Sequence, residues 1–183
     1  EAIEPKMPEG VYFVGGHPMA GSDRSGIAAA DTYLFEGAPY IFTETKKADP
    51  KALKSLKSLV TPLDVRVLTM TPELHDLAVA AVSHLPIAVA SALVNTISEA
   101  PESRDTMLDV ASSGFRDTTR VAGGNPEMGR DIFLTNRKAV LTMLRLFRQS
   151  IERLEKLVEK GDADGLKAEL EKARNLRGQI YSA

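Results

Sequence analysis

Between residues 77 and 94, 14 of 18 residues are apolar, and the four exceptions are Ser83, His84, Pro86 and Ser91. A helix that is apolar on nearly every side has no face to offer to water, so it needs neighbours all round. Lipid is one such environment. A spanning helix, however, wants about 20 apolar residues and rarely carries a histidine and a proline at its centre. Several of the apolar residues are alanines, which drive insertion weakly. The stretch therefore reads as a helix buried in protein. Thr71-Pro72-Glu73 marks its start, with threonine placed to cap and proline at the first helical position. Pro86 has no N–H for the carbonyl of Val82, which predicts a kink there. The helix is predicted to reach about Ala100.

The cap-then-proline pattern recurs twice. Asp49-Pro50 opens a helix in which Leu53, Leu56 and Leu59 are spaced by three between lysines. Asn125-Pro126 opens another, predicted to run to Lys160. Its Val140, Leu144, Phe147, Ile151, Leu154 and Val158 form a seam spaced 4, 3, 4, 3 and 4,. Gly161 ends that helix and Asp162 caps the next, which carries Leu166, Leu170, Ala173 and Ile180. So short a link predicts an antiparallel hairpin.

Strand signals are confined to the first 70 residues. Residues 11–14 form a short apolar run halted by Gly15-Gly16, and residues 39–43 and 65–70 supply two more strands. A short helical piece is expected near residues 27–30. Three strands with one helix make an incomplete sheet. The chain thus reads as α+β in two parts: a small three-stranded α/β piece over 1–70, and an all-helical part with long helices over 71–183. The helical part has too few helices to surround its apolar member, which predicts a helix-packed homodimer.

Charge and composition exclude several functions. The chain has 23 basic and 25 acidic residues and a formal net charge of −2. No basic excess is present to neutralise phosphates, so nucleic acid and anionic membrane are not expected partners. With no cysteine and three histidines, no disulfide framework, thiol nucleophile or metal site is expected. The absence of cysteine fits a reducing compartment such as the cytoplasm. There is no glycine-rich dinucleotide fingerprint, Walker loop, H-E-x-x-H or G-x-S-x-G. The first residues lack the basic and apolar segments of a signal peptide. They also lack an initiator methionine, so the chain is expected to start partway through a larger protein.

Three segments carry candidate chemistry. In Gly15-Gly16-His17-Pro18-Met19-Ala20-Gly21-Ser22 a histidine follows the first strand, where open α/β sheets place ligands, and its glycines would let backbone approach a substrate. The plain alternative is a strand-ending turn that happens to hold a histidine. His84, at the predicted kink, is either a satisfied core group or a site residue. Arg116 and Arg120 stand four apart beside Asp117. Arginine binds carboxylate in a bidentate way, but a surface ion pair with Asp117 is the commoner outcome. His75, near the start of its helix, reads as an ordinary surface residue.

Taken together, GGHPMAGSDRSGIAAADTYLFEGAPYIFT, VSHLP and GFRDTTRVAGGNPEMGRDIFLTNR resemble the prephenate dehydrogenase family, which includes the arogenate dehydrogenases, in order as well as spacing. The resemblance covers nearly the whole chain. It implies an N-terminal Rossmann domain followed by a helical dimerisation domain. The chain looks like such an enzyme without most of its Rossmann domain, with residues 1–70 as a three-stranded remnant of that sheet. It also implies NAD- or NADP-dependent oxidative decarboxylation of prephenate to 4-hydroxyphenylpyruvate, with the cofactor bound mainly by the preceding region. This chain by itself is then expected to be inactive. Arogenate as substrate, or a non-catalytic dimerisation module, are the alternatives. Residue by residue, His17 matches the family's catalytic histidine and Ser22 a Ser/Thr near the substrate. His84 matches the first histidine of S-H-L-P-H, close to substrate and nicotinamide. Arg120 matches the arginine that holds a substrate carboxylate. The sequence departs from the pattern at Ile87, where many members have the second histidine of that motif, and at Gly129, where many have tryptophan.

Overall fold

A computed structural model describes residues 3–21, 26–45 and 48–181. The chain divides into two compact units, Glu1–Asn136 and Arg137–Ala183.

The first unit holds a three-stranded sheet in the order β1 (Gly15–Pro18), β2 (Pro39–Thr43), β3 (Arg66–Met70). Strands β2 and β3 are parallel and joined through helix α1 (Pro50–Val60), while β1 runs antiparallel to β2. Asp49 caps α1 through a bond from the Ala52 N–H at 2.7 Å, as the Asp-Pro signal requires. Phe42, Leu53 and Val60 form the buried cluster, with Leu56 and Val67 packed against it. The inward stripe of α1 is therefore 53, 56 and 60, and Leu59 is exposed.

The first strand is not 11–14 but the Gly-Gly-His-Pro segment itself. Pairing decides this. Gly15 lies opposite Thr43 and Gly16 opposite Phe42. A Cβ on Gly15 would collide with the Thr43 hydroxyl, and one on Gly16 would come within 3.2 Å of the Tyr40 ring. The two glycines make room for the side chains of β2, so they belong inside the strand rather than at its end.

Helix α2 (Pro72–Val79) begins at Thr71, whose hydroxyl accepts from the Leu74 N–H. A π-turn, Ala80–His84, follows and leads into α3 (Leu85–Ser98). The Leu85 N–H reaches back five residues to the carbonyl of Ala80. The disturbance expected at Pro86 thus takes the form of one wide turn just before it. The expectation of burial is not met within one chain. Ala80 and Ala90 are enclosed, but Leu74, Leu77, Val82, Leu93 and Val94 are exposed. Pro72–Ser98 is long and apolar enough to cross a membrane by length and composition, and only 17% of its most apolar window is buried.

Two short helices, α4 (Arg104–Asp109) and α5 (Ser113–Thr119), precede a 3-10 turn, Arg120–Gly123, that packs with α5 on α3. Helix α6 (Pro126–Thr135) is capped by Asn125, which accepts from the N–H groups of Glu127 and Met128. The helix predicted to continue to Lys160 instead stops at Asn136, which leaves helical geometry at φ −104, ψ 33. Its side chain is turned onto the carbonyl of Asp76 at 2.7 Å, and this competes with helix continuation.

The second unit is the predicted hairpin of α7 (Arg137–Glu159) and α8 (Ala163–Tyr181). Gly161, at φ +64, closes α7, with the Asp162 N–H bonded to the Leu157 carbonyl. The Asp162 carboxylate then accepts from the Gly165 N–H at 2.9 Å and starts α8. Arg153 and Glu169 pair between the two helices at 3.8 Å.

Candidate active site

Strand alternation sets the direction of His17. It lies opposite Ile41 in the β1–β2 register, so it shares Ile41's face and points away from the Phe42 core. On that face its Nδ1 meets Nε2 of His75 at 2.8 Å, with the rings edge to face and centroids 5.1 Å apart. His75 Nδ1 in turn lies 2.9 Å from the Asp76 carboxylate. His75 is therefore not an ordinary surface residue. Its side chain is 17% exposed, against 57% for Asp76.

His84 completes the group. In an uninterrupted α-helix, residues 75 and 84 would project about 180° apart. The intervening π-turn removes one residue's worth of rotation, about 100°, and brings His84 round toward the same side. Its Nδ1 is 3.3 Å from Nδ2 of Asn136, the same amide that donates to the Asp76 carbonyl. All three histidines of the chain thus act on one another. Burial lowers the pKa of His17 from the ordinary 6.5, and the charge of His75 lowers it further. Burial also lowers His84, with added repulsion from His17 and, more weakly, His75, while Asp76 opposes the shift. Charge on one imidazole thus resists charge on His17 and His84.

His17 and His75 line a cleft of about 370 Å³ with Gly15, Gly16, Thr43, Pro72 and Asp76. A second cavity of about 370 Å³ is walled by Ile87, Ser91, Val121, Gly129 and Phe133, among others. Both departures from the family pattern face this one space, and a Cβ on Gly129 would meet nothing within 4 Å. Arg120 immediately precedes Val121 and Ala122 of the cavity wall. Asp117 pairs with Arg116 at 3.1 Å, so the expected surface ion pair forms there. Arg120 is exposed and has no ion pair among the described residues. Ser22 lies outside the described residues. No cluster of three or more His, Asp or Glu among the described residues is arranged to hold a metal ion.

Of the predicted site residues, the fold brings His17 and His84 together and adds His75, Asp76 and Asn136. The missed signal was the His-Asp pair one turn after a strong cap. Its partner lies 58 residues away, beyond the reach of local pattern.

Comparison with known proteins identifies the family. Residues 71–172 match the family model described as "Prephenate dehydrogenase, dimerization domain", and residues 1–69 match "Prephenate dehydrogenase, nucleotide-binding domain". A prephenate dehydrogenase of Bacillus subtilis is 38% identical over 171 residues, which is 93% of this chain and 46% of that protein. The chain therefore spans about half the length of that relative. Crystal structures superpose closely. Synechocystis arogenate dehydrogenase gives a TM-score of 0.83 at 39% identity, covering 92% of this chain and 61% of that one. The Aquifex aeolicus prephenate dehydrogenase complex with hydroxyphenyl propionate and NAD+ gives 0.85 at 39%, covering 92% and 59%. With matched family models over both of its parts and close superposition on solved members, the chain belongs to the prephenate dehydrogenase family.

Proposed function

We propose that the protein carries out NAD(P)-dependent oxidative decarboxylation of prephenate to 4-hydroxyphenylpyruvate. The observation that supports this best is the hydrogen-bonded His17 at the wall of an open cleft. Residues 1–70 serve as the end of the nucleotide-binding domain and 71–183 as the substrate and dimerisation domain, a division that follows the two family matches. A cytoplasmic setting suits a chain without cysteine,.

The cleft accommodates the reactive end of a nicotinamide cofactor. Its wall is formed by Phe13, Gly15, Gly16 and Thr43 beside His17, with Pro72, His75 and Asp76 completing it. No stretch of the sequence forms the glycine-rich turn that would hold a pyrophosphate,. A nicotinamide bound there supplies the acceptor for the hydride that leaves the ring carbon bearing the 4-hydroxyl. The chain's own residues do the rest. His17, unprotonated, accepts a hydrogen bond from that hydroxyl and favours its carbonyl character as the hydride leaves. Arg120, which has no ion pair among the described residues, holds a substrate carboxylate. His84, steadied by Asn136, lies toward the substrate, and Ser22 is assigned to the substrate by its motif match. Loss of carbon dioxide and aromatisation drive the step forward.

Arogenate is a second reading, supported by the equal 39% identity to the arogenate and prephenate enzymes. Turnover of both substrates by the full-length protein, monitored by reduced cofactor, tests the assignment. Failure with both would overturn it.

Arg120→Ala in that protein should raise KM for prephenate much more than it lowers kcat. A carboxylate remote from the reacting carbon is held about equally in ground and transition states. A lost charge-assisted pair is worth about 1.5–3 kcal/mol, roughly 10- to 150-fold. An unchanged KM would mean that Arg120 serves the fold.

The exposed apolar residues of Pro72–Ser98 are the surface of a homodimer, in line with the matched dimerisation domain. Leaving even a few hundred Å² of such surface wet costs several kcal/mol at roughly 25 cal/mol per Å². Light scattering at micromolar concentration should give the mass of a dimer. A monomer in detergent-free buffer would refute it.

A further inference from the structure

We propose that His75 and Asp76 are positioning residues that fix the tautomer of His17 and leave its Nε2 bare toward the cleft. The proposal rests on the reading of His17 as the group that accepts the substrate's hydroxyl hydrogen.

An ionised Asp76 can only accept hydrogen bonds. At 2.9 Å from it, Nδ1 of His75 must therefore be the protonated nitrogen. A neutral imidazole carries one N–H, so Nε2 of His75 is then an acceptor. That acceptor sits 2.8 Å from Nδ1 of His17, which must be the donor. The proton of His17 is thereby placed on Nδ1, and Nε2 keeps its lone pair. Free imidazole side chains prefer the opposite tautomer, with the proton on Nε2, and that form would present a donor where the reaction needs an acceptor. The reverse set of protons is disfavoured here because it would point the bare Nδ1 of His75 at the Asp76 carboxylate.

The parts are mounted to hold this order. His17 is fixed on a paired strand opposite Ile41. His75 stands on the first full turn of α2, and its backbone N–H bonds to the Thr71 carbonyl. The Asp76 carbonyl, on the same turn, is tied to Asn136. The groups nearest this pair are Asp76 and His84, and the pKa of His84 is itself lowered by His17 and His75. Among the described residues, the His17 imidazole makes no hydrogen bond other than the one to His75.

The test is nitrogen-15 NMR of the imidazoles in the full-length protein, above the pH at which they protonate, together with steady-state kinetics. The native protein should show His17 protonated at Nδ1 and bare at Nε2. His75→Phe should move that proton toward Nε2 and lower kcat by about 10- to 100-fold with little change in KM. His75→Gln, whose amide oxygen can take the place of the accepting Nε2, should restore both the tautomer and most of the rate. If His75→Phe does not fold, Asp76→Ala, at a mostly exposed carboxylate, should give a mixture of His17 tautomers and a smaller loss. His17 protonated at Nε2 in the native protein, or a tautomer that His75→Phe and Asp76→Ala leave unmoved, would overturn the proposal. Expected tautomers in a protein that turns over neither prephenate nor arogenate would uphold the positioning while overturning the reaction assigned to the site.

Discussion

Replacing His17 with asparagine in the full-length protein is expected to lower kcat by about 10² to 10⁴ and to leave KM for prephenate nearly unchanged. The ground-state hydroxyl is neutral and binds either side chain. Oxygen acquires carbonyl character only as the hydride departs, so a group that accepts its hydrogen acts mainly in the transition state. Asparagine keeps the size and some polarity of imidazole but has no basic nitrogen. The pH dependence follows from the same role. His17 works unprotonated, so the rate falls as pH drops through its pKa and is level above it. Burial and the neighbouring His75 place that pKa below the ordinary 6.5, and the acid limb should lie there too. His84 is also lowered, by burial first and then by His17, so it is the other group able to give a limb in this range. Kinetics from pH 5 to 9 would show it. A slow variant that keeps the same limb would transfer the acceptor role elsewhere, with His84 first in line.

Phe42→Ala should destabilise the first unit by about 3–5 kcal/mol, the range for removing a large aromatic from a packed interior. Phe42 is 2% exposed and stacks on Tyr40 at 5.0 Å. It joins β2 to Leu53 and Val60 of α1. Gly16, across the strand, has no side chain with which to refill the space. Leu59→Ala, on the same helix but 71% exposed, provides the contrast and should stay within about 0.5 kcal/mol of the parent. Urea titration followed by circular dichroism compares the two. A loss below about 1 kcal/mol for Phe42→Ala would show that this cluster does not hold the sheet together.

What could be read from the sequence was what is local. Asp49, Thr71, Asn125 and Asp162 each announce a helix start because a cap is satisfied within three residues of itself. Gly161 announces an end because the closing turn needs positive φ. The seam in α7 was also legible, and its first member is Val140, just after the break that the same reading passed over. Asn136 stops α6 because it bonds to residues on another helix, which no window around it reveals. The same holds for β1. Glycines after an apolar run read as strand terminators, yet Gly15 and Gly16 are required by the bulk of Thr43 and Tyr40 on the partner strand. In the site, His17, His84 and Arg120 came from motif resemblance. His75 and Asp76 came only from tertiary contact, since a histidine near a helix start has no pattern that distinguishes it from surface.

The π-turn also makes residue count, rather than side-chain chemistry, the quantity that keeps the two cavities in phase. His75 and Asp76 stand on its N-terminal side and face the first cleft, whereas Ile87, Ser91, Val94 and Asn95 stand beyond it and wall the second. Losing one residue between 80 and 83 would tighten the turn into ordinary α-helix without altering any of these side chains. Everything downstream would nonetheless swing by about 100° relative to the histidine pair, enough to turn the cavity wall out of alignment. Substitutions along this stem are therefore tolerable wherever size and polarity allow, but insertions and deletions are not. The turn works as a one-residue gear between the two halves of the helix.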